Sequence, residues 1–202
     1  AMSLLQAGMA EEGITSLPPI KITYSTGPTL GLLMTAIRQM WSTVLNVNVA
    51  ANVEDFTKEL GDINQSVCTT PATPAVCLGK GIQMWSIGWS ADYPDPQDFT
   101  TLQFDNGVAN NQANYGQNTA LDATTQVQTQ VGLEKADAMP AGAARFNAYM
   151  PLEQQLVNDV AWLPLYQTSG VEVIKPYVSG WVDNAQASTP PDDWANIFIT
   201  VH

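Results

Sequence analysis

The sequence predicts an α/β fold in which a mixed β-sheet is flanked by helices. Short runs with apolar residues at every second position alternate along the chain with longer runs at helical spacing, and this order is typical of that class. A length of 202 residues is enough to bury a core. A composition of 45% hydrophobic and 13% charged residues excludes a disordered chain. Because the sequence contains no internal repeat and no interdomain linker, we expect residues 1–202 to form one domain.

The first half of the chain contains three predicted strands with helices between them. Strands are expected at residues 20–24, 47–51 and 82–89, and helices at residues 1–10, 29–45 and 53–60. Leu30, Leu33 and Ile37 belong to one apolar stripe along the second helix, which is therefore amphipathic. Pro18 and Pro19 separate the first helix from the first strand.

The second half begins with a turn at residues 91–96, because each proline there disfavours a helical conformation for the residue before it. A short helix at residues 98–104 and a loop at 105–119 precede two longer helices at 121–131 and 140–160. Strands are expected again at residues 161–166, 171–174 and 197–201, where apolar residues dominate.

The charge of the chain disfavours two classes of partner. Seven Lys and Arg residues stand against 19 Asp and Glu residues, which gives a formal net charge of −12. Nucleic-acid binding needs a basic face that displaces counterions from phosphates, and anionic membranes also attract basic segments. We therefore expect no nucleic-acid partner and assign the acidity to solubility. No run approaches the about 20 apolar residues of a membrane span.

Two cysteines, Cys68 and Cys77, lie in one short segment rich in threonine and proline. The prolines favour an exposed, non-helical loop. An even number of cysteines on such a loop favours a disulfide between Cys68 and Cys77, and with it an oxidising compartment. Two free thiols are the alternative. A metal site is disfavoured, because the cysteine spacing does not suit zinc and the one histidine is His202.

Familiar catalytic arrangements are incomplete in this sequence, so we expect no enzyme. Gly88-Trp-Ser-Ala-Asp92 begins like a nucleophile elbow, but Asp92 stands where the closing glycine belongs. A Ser-His-Asp or Cys-His arrangement would need a histidine other than His202. Gly79-Lys-Gly81 lacks both the first glycine and the Ser or Thr of a phosphate-binding loop.

Three carboxylates, those of Asp92, Asp95 and Asp98, lie beside Trp85 and Trp89 and remain as candidates for chemistry. A glycosidase would use such a pair, with one group protonated and one ionised. In a simpler interpretation the segment is a turn, in which Asp95 accepts backbone N–H groups and Asp98 caps the next helix. Ligand binding is a third interpretation, although the spacing does not match a calcium loop. The residues alone leave all three open.

Three segments, taken in order, resemble the family 5 extracellular solute-binding proteins, the peptide-binding receptors of ABC importers. The segments are Gly88-Trp-Ser-Ala-Asp-Tyr-Pro-Asp-Pro96, then Asn114-Tyr-Gly-Gln-Asn118, then Arg145 and Tyr149 followed by Trp162-Leu-Pro-Leu-Tyr166 and Lys175-Pro-Tyr-Val-Ser-Gly-Trp181. The first is similar to that family's Gly-Trp-x-Ala-Asp-Tyr-x-Asp-Pro run. The match extends over nearly the whole chain and corresponds to the C-terminal portion of a longer family member.

The resemblance implies a lobe of the type II periplasmic-binding-protein fold, one half of a clamp that closes over a solute by hinge motion. The N-terminal lobe would lie outside this sequence. In the family an Asp grips the α-ammonium group of a bound peptide, and the corresponding residue is Asp92, whose carboxylate would make a charge-assisted bond. Trp89 would line the cleft, and Tyr93, Trp85 and Tyr115 are weaker candidates.

The resemblance also implies the setting in which the chain works. Its partners would be a peptide or another small solute and the permease subunits of an ABC transporter, with no cofactor and no metal. Its location would be the extracellular face of the cell membrane or the periplasm, with a lipid anchor on the full-length protein. Among the residues that carry the resemblance, Arg145, Tyr149, Pro164 and Tyr166 are expected to serve packing.

Three alternatives to peptide binding stay open at this point. An oligosaccharide receptor of the same family would use Trp85 and Trp89 as stacking platforms. A secreted glycosidase-like enzyme would use Asp92 and Asp95, and a structural adhesion module would have no concave surface near Asp92. Nickel is disfavoured as a solute, because the chain has no internal histidine to bind it.

Overall fold

The structure of the chain is a computed structural model that describes residues 1–67, 82–118, 123–167, 169, 171, 173–182 and 195–201. In chain order the elements are α1 (Met2–Glu11), β1 (Ile20–Ser25), α2 (Pro28–Leu45), β2 (Val49–Glu54), α3 (Phe56–Gln65), β3 (Met84–Ser86), a 3₁₀ helix (Pro96–Asp98), α4 (Thr101–Phe104), α5 (Ala123–Asp137), α6 (Ala143–Asn158), β4 (Val178–Ser179) and β5 (Phe198–Ile199). None of the helices in these ranges combines the length and the apolar character that crossing a bilayer requires.

A parallel sheet with the strand order β2-β1-β3 carries the first core. Helix α2 connects β1 to β2, because parallel neighbours need a crossover connection. Met34 of α2 is fully buried and forms a core cluster with Ile22 and Tyr24 of β1 and Val49 of β2. Since the strands are parallel, their carboxyl ends lie at one edge of the sheet.

Three helices, α4, α5 and α6, form the second core. Leu133 of α5 packs with Tyr149 of α6, and Phe104 of α4 packs with Leu156 of α6 and with Tyr115. The rings of Phe104 and Tyr115 meet edge-on, with centroids 6.0 Å apart and planes at 78°. Residues 105–118 between these helices contain neither helix nor strand, as predicted.

Helices and strands alternate from α1 to β3, as predicted, and the α/β class is confirmed. Parallel and antiparallel pairing both occur, but in separate sheets, because β4 and β5 pair with each other and not with the parallel sheet. Strand β5 lies inside the strand predicted at residues 197–201. Cys68 and Cys77 lie outside the described residues, so their disulfide remains a prediction.

The strands predicted at residues 161–166 and 171–174 are wrong for the described part of the chain. The described residues of both segments form no strand. Trp162 packs against the second core, but most of the apolar side chains that follow are exposed, Leu163 by 62% and Val173 by 90%. A strand needs a neighbour to satisfy its backbone hydrogen bonds. No described strand lies beside these segments, so an apolar pattern typical of strands remains without a pairing partner.

Candidate functional site

Strand β3 leads directly into the segment that carries the predicted ligand contacts. Trp85 is half-buried within β3, whereas Trp89 and Asp92 follow the strand and are exposed, Trp89 by 40%. The strand predicted at residues 82–89 is therefore too long, and the two indoles do not share one strand face. Open α/β sheets bind ligands outside the carboxyl ends of their strands. We call Trp85, Trp89, Asp92 and Tyr93, which lie at and beyond this end of β3, the edge site.

A buried carboxylate, that of Asp98, binds two residues of the edge site. Asp98 is fully buried, and its Oδ2 accepts one hydrogen bond from Trp89 Nε1 and one from the backbone N–H of Asp92, each at 3.0 Å. Its Oδ1 is also buried and has no hydrogen-bond partner among the described residues. The prediction that Asp98 caps the next helix is wrong, because Thr100 is the N-cap of α4 and the Asp98 carboxylate faces Trp89 instead.

Asp95 anchors the same turn to the helical layer. Its Oδ1 accepts the backbone N–H of Gln97 at 2.9 Å and so caps the 3₁₀ helix, which confirms the predicted turn role. Both carboxylate oxygens also accept from Arg145, Nε to Oδ2 and Nη2 to Oδ1, at 2.9 Å each. The Arg145 guanidinium holds the pKa of Asp95 below its usual value, against the opposing effect of burial.

Arg145 connects this turn to the end of α5. Only 6% of the residue is exposed, and its Nη1 donates to the carbonyl oxygens of Ala136, Asp137 and Met139. The last carbonyls of a helix have no partner within the helix. One guanidinium therefore satisfies two of these helix carbonyls, those of Ala136 and Asp137, and binds Asp95 as well, which agrees with the packing role predicted for Arg145.

Tyr93 lies half-buried among the carboxylates of the turn. Its hydroxyl donates to Gln97 Oε1 at 3.2 Å. Burial raises the pKa of this hydroxyl, and negative charges raise it further; in decreasing order they belong to Asp98, Asp95, Asp137 and Asp92. Burial and these charges therefore act in the same direction and keep the Tyr93 hydroxyl protonated, so that it can donate its hydrogen bond to Gln97.

Tyr115 is placed in the core and not on the edge of the sheet. It is 2% exposed, packs against Phe104, and donates from its hydroxyl to Asp159 Oδ2 at 2.5 Å. Asn111 accepts the Tyr115 backbone N–H, and Gln130 donates to the Tyr115 carbonyl, at 2.8 Å each. In this arrangement Tyr115 supports the loop at residues 105–118 from inside and presents almost no surface to a ligand.

The other residues expected to serve packing divide into two groups. Tyr149 is 2% exposed and donates its hydroxyl to Asp137, so its packing role is confirmed. Pro164 and Tyr166 are exposed, Tyr166 by 61%, and their packing role within the described chain is therefore wrong. They follow α6 in the extended segment that has no strand partner.

The comparisons with known proteins extend over almost the whole chain. No protein-family model matches it. The periplasmic oligopeptide-binding protein OppA of Salmonella typhimurium is 25% identical over 193 residues, which are 95% of this chain and 30% of that protein. The solved structure of Burkholderia pseudomallei OppA is similar, with a TM-score of 0.67 at 20% identity. This similarity covers 98% of the present chain and 33% of the Burkholderia pseudomallei chain. The solved structure of Haemophilus influenzae OppA in complex with RPPGFSPFR has a TM-score of 0.62 at 18% identity. The similarity covers 96% of this chain and 33% of that protein.

The comparisons show how much of its relatives the chain spans and which fold it shares with them. The chain spans about a third of the length of the curated relatives that it matches. The solved structures share its α/β fold over nearly all of its length. The chain is thus related in sequence and in fold to oligopeptide-binding proteins of the OppA type, and the resemblance to the family 5 solute-binding proteins is confirmed.

Proposed function

We propose that this chain is the C-terminal lobe of a solute-binding receptor that captures short peptides for an ABC importer. The observation that carries the proposal is that Asp92 and Trp89, both exposed beyond the carboxyl end of β3, are bound to the same oxygen of Asp98. The curated relatives are named oligopeptide-binding proteins. A receptor of this kind delivers a solute unchanged, so we propose no catalytic activity, no cofactor and no metal.

The edge site suits the amino terminus of a peptide. No described residue donates a hydrogen bond to the Asp92 carboxylate, while the Asp92 backbone N–H is already bound to Asp98. The carboxylate is therefore the group that Asp92 offers to a ligand, and a charge-assisted bond to an α-ammonium group uses it fully. The Trp89 ring adds apolar surface for the first side chain of the peptide. Trp85 and Tyr93 are secondary contacts, whereas Tyr115 is buried in the core and is no longer proposed as a contact.

A second lobe would complete the site. Sites of this kind enclose most of a ligand between two bodies. The segment that follows α6 exposes large apolar side chains close together in sequence: Val160 is 80% exposed, Leu163 62% and Tyr166 61%. Burial of such side chains against a partner lobe would remove them from water. We therefore propose that residues 1–202 form one lobe of a two-lobe clamp whose other lobe lies outside this sequence.

The proposed setting follows from the relatives and from the composition. The relatives from Salmonella typhimurium and Escherichia coli are named periplasmic. We propose that this chain also works outside the cytoplasmic membrane, in the periplasm or lipid-anchored at the extracellular face, where the permease subunits of the importer receive the solute. A disulfide between Cys68 and Cys77 would be stable in that compartment.

The glycosidase alternative has little support in this geometry. It requires Asp92 and Asp95 to face one substrate, with both carboxylates available. Both oxygens of Asp95 are bound to Arg145, and the guanidinium lowers the pKa of this carboxyl group. Asp95 is therefore committed to holding the turn and serves neither as an acid nor as a nucleophile.

Calorimetric titration of the full-length receptor with a pool of short peptides tests the proposal. We expect Asp92→Ala to weaken peptide binding by about 2 kcal/mol, roughly thirtyfold, because one partner is removed from a desolvated charge pair. Peptides with an acetylated amino terminus have no α-ammonium group. They should therefore bind the wild type about as weakly as free peptides bind Asp92→Ala. Asp62→Asn changes a carboxylate of α3 outside the edge site and should leave the affinity unchanged.

Each other outcome has a definite meaning. If free and acetylated peptides bind equally well, and Asp92→Ala has no effect, Asp92 is a turn residue and the peptide is held elsewhere. If an oligosaccharide binds and no peptide does, Trp85 and Trp89 act as stacking platforms. Conversion of a glycoside that is lost in Asp92→Asn would establish an enzyme and overturn the proposal.

A further inference from the structure

We infer that Asp98 is a positioning residue for the ligand, which holds the Trp89 ring and the Asp92 backbone in the orientation in which they meet a peptide. The inference rests on the proposed function, since it concerns how the edge site is held. Asp98 is fully buried and does not touch the ligand itself. It acts through the two residues that do.

The geometry connects the two contacts through one atom. Oδ2 of Asp98 accepts from Trp89 Nε1 and from the Asp92 backbone N–H, both at 3.0 Å. Because the two donors share one oxygen, the indole and the backbone of Asp92 are held in a fixed relation. The indole N–H is occupied, so Trp89 meets a ligand with its ring alone. The Asp92 N–H is occupied as well, and the residue is exposed, so Asp92 meets a ligand with its side chain.

The Asp98 side chain fixes no other part of the described fold. The 3₁₀ helix is capped by Asp95, and α4 begins at Thr100 without help from Asp98. The second oxygen, Oδ1, is buried without a hydrogen-bond partner in the described ranges. Burying a carboxylate is unfavourable unless it is bonded, and here both of its hydrogen bonds are to edge-site residues. Loop residues that bind a ligand need such a support, because a loop does not hold them rigidly by itself.

Two substitutions at position 98 separate positioning from packing. An amide oxygen can accept the same two hydrogen bonds as the carboxylate, whereas a methyl group accepts none. In the full-length receptor we expect Asp98→Ala to weaken binding of short peptides at least about tenfold, and Asp98→Asn to stay within about threefold of the wild type. In a Trp89→Phe background, where the N–H donor is missing, Asp98→Ala should cause a smaller further loss. Asp62→Asn is the matched control.

The indole N–H signal of Trp89 provides a readout that does not involve the ligand. In receptor labelled with ¹⁵N-tryptophan, this signal is assigned by its absence from Trp89→Phe. We expect it to shift and to lose protection from hydrogen exchange in Asp98→Ala, and to move much less in Asp98→Asn, while the other indole signals stay in place. Should Asp98→Ala not fold, Asp98→Ser replaces it, because the shorter side chain does not reach both donors.

The two readouts distinguish the inference from the proposed function. An unchanged Trp89 signal in the folded Asp98→Ala variant overturns the inference, as does a shifted signal with unchanged peptide affinity. If the wild type binds no peptide, the proposed function is overturned instead. In that case the indole signal alone decides whether Asp98 holds Trp89 in place.

Discussion

Two carboxyl groups in this chain have pKa values shifted in opposite directions, one by a bound cation and the other by burial. Asp95 is bound by Arg145, which lowers its pKa. Glu59 of α3 is fully buried, and neither of its carboxylate oxygens has a hydrogen-bond partner among the described residues; burial raises its pKa, and the negative charge of Glu54 adds to this shift. Such shifts make the stability of the fold depend on pH, and the two groups act with opposite sign.

Asp95→Asn should destabilise the fold at neutral pH and have less effect in acid. Because the pKa of Asp95 is lower in the folded state, the pair with Arg145 contributes fully above the unfolded value of about 3.9 and is lost as the pH falls through the folded value. We expect a loss of about 2 kcal/mol in the free energy of unfolding near pH 7, from denaturant titration. Asp62→Asn, which breaks a pair with the exposed Lys58, should show a much smaller pH-dependent difference. A difference for Asp95→Asn that is constant down to pH 3 would contradict the assignment.

Glu59→Gln should have the opposite pH dependence. The folded pKa of Glu59 lies above the unfolded value, so the native state binds the proton more tightly. The wild type should therefore lose stability as the pH rises from about 4.3 through the folded value, whereas the Gln variant has no proton to lose there. Denaturant titrations across this range should show that the free energy of unfolding of the variant increases relative to that of the wild type as the pH rises. The control is Glu153→Gln, an exposed change on α6, whose free energy of unfolding should follow the same pH dependence as that of the wild type. The prediction would be contradicted if Glu59→Gln also followed the pH dependence of the wild type.

At the scale of elements, the end of a helix or strand could be predicted where its local apolar pattern ends at the same residue as its contacts with neighbouring elements. The helix predicted at residues 29–45 is observed as Pro28–Leu45, because its apolar stripe rests on β1 and β2. The strand predicted to reach residue 89 ends at Ser86, because the pairing of β3 with β1 extends only to Tyr24 opposite Ser86. That early end places Trp89 outside the sheet and makes it available as part of the edge site.

Two glycines allow a matched test of how elements constrain the chain. Gly180, next to β4, has φ +82°, and a Cβ there would lie 1.9 Å from the carbonyl oxygen of Asn196. Gly180→Ala should therefore separate β4 from β5 and lower the melting temperature. Gly61 lies in α3, and no neighbouring atom lies within 4 Å of the position that a Cβ would take, so Gly61→Ala should stabilise the fold by about 0.5–1 kcal/mol. Equal effects of the two changes on thermal unfolding would contradict this account.

At the scale of the whole molecule, hydrogen bonds link the sheet and the turn after it to the helical layer. The turn after β3 is bound to the helical layer by Asp95 and Arg145. A further link is the hydrogen bond from Asn114 Nδ2 to the carbonyl of Ser66, at 2.8 Å. The turn that carries Asp92 is therefore supported from the helical side. Asp92 and Pro94 of this turn are exposed, so they are accessible to a ligand or to a second lobe.

Hydrogen exchange on the full-length receptor tests whether a second lobe covers the exposed segment after α6. Residues 163–166 are exposed in the structure of this chain, and we expect their backbone amides to exchange slowly in the full-length receptor, because the other lobe packs on them. Amides at residues 88–90 provide an internal comparison and should become protected only when a peptide is added. Rapid exchange at residues 163–166 in the full-length receptor would show that the segment stays uncovered, and would contradict the two-lobe proposal.

The sequence by itself determined the α/β class, most helices, and the segment that carries Asp92 and Trp89. These features depend on periodicity, on proline and on a residue pattern, all of which are local. Only the tertiary structure decided that Asp98 supports the site, that Tyr115 belongs to the core, and that residues 161–166 pair with no described strand. A carboxylate that caps a helix and one that binds an indole have the same sequence context, and an apolar run cannot specify its own partner. Those outcomes depend on contacts between residues distant in sequence, which no local pattern contains.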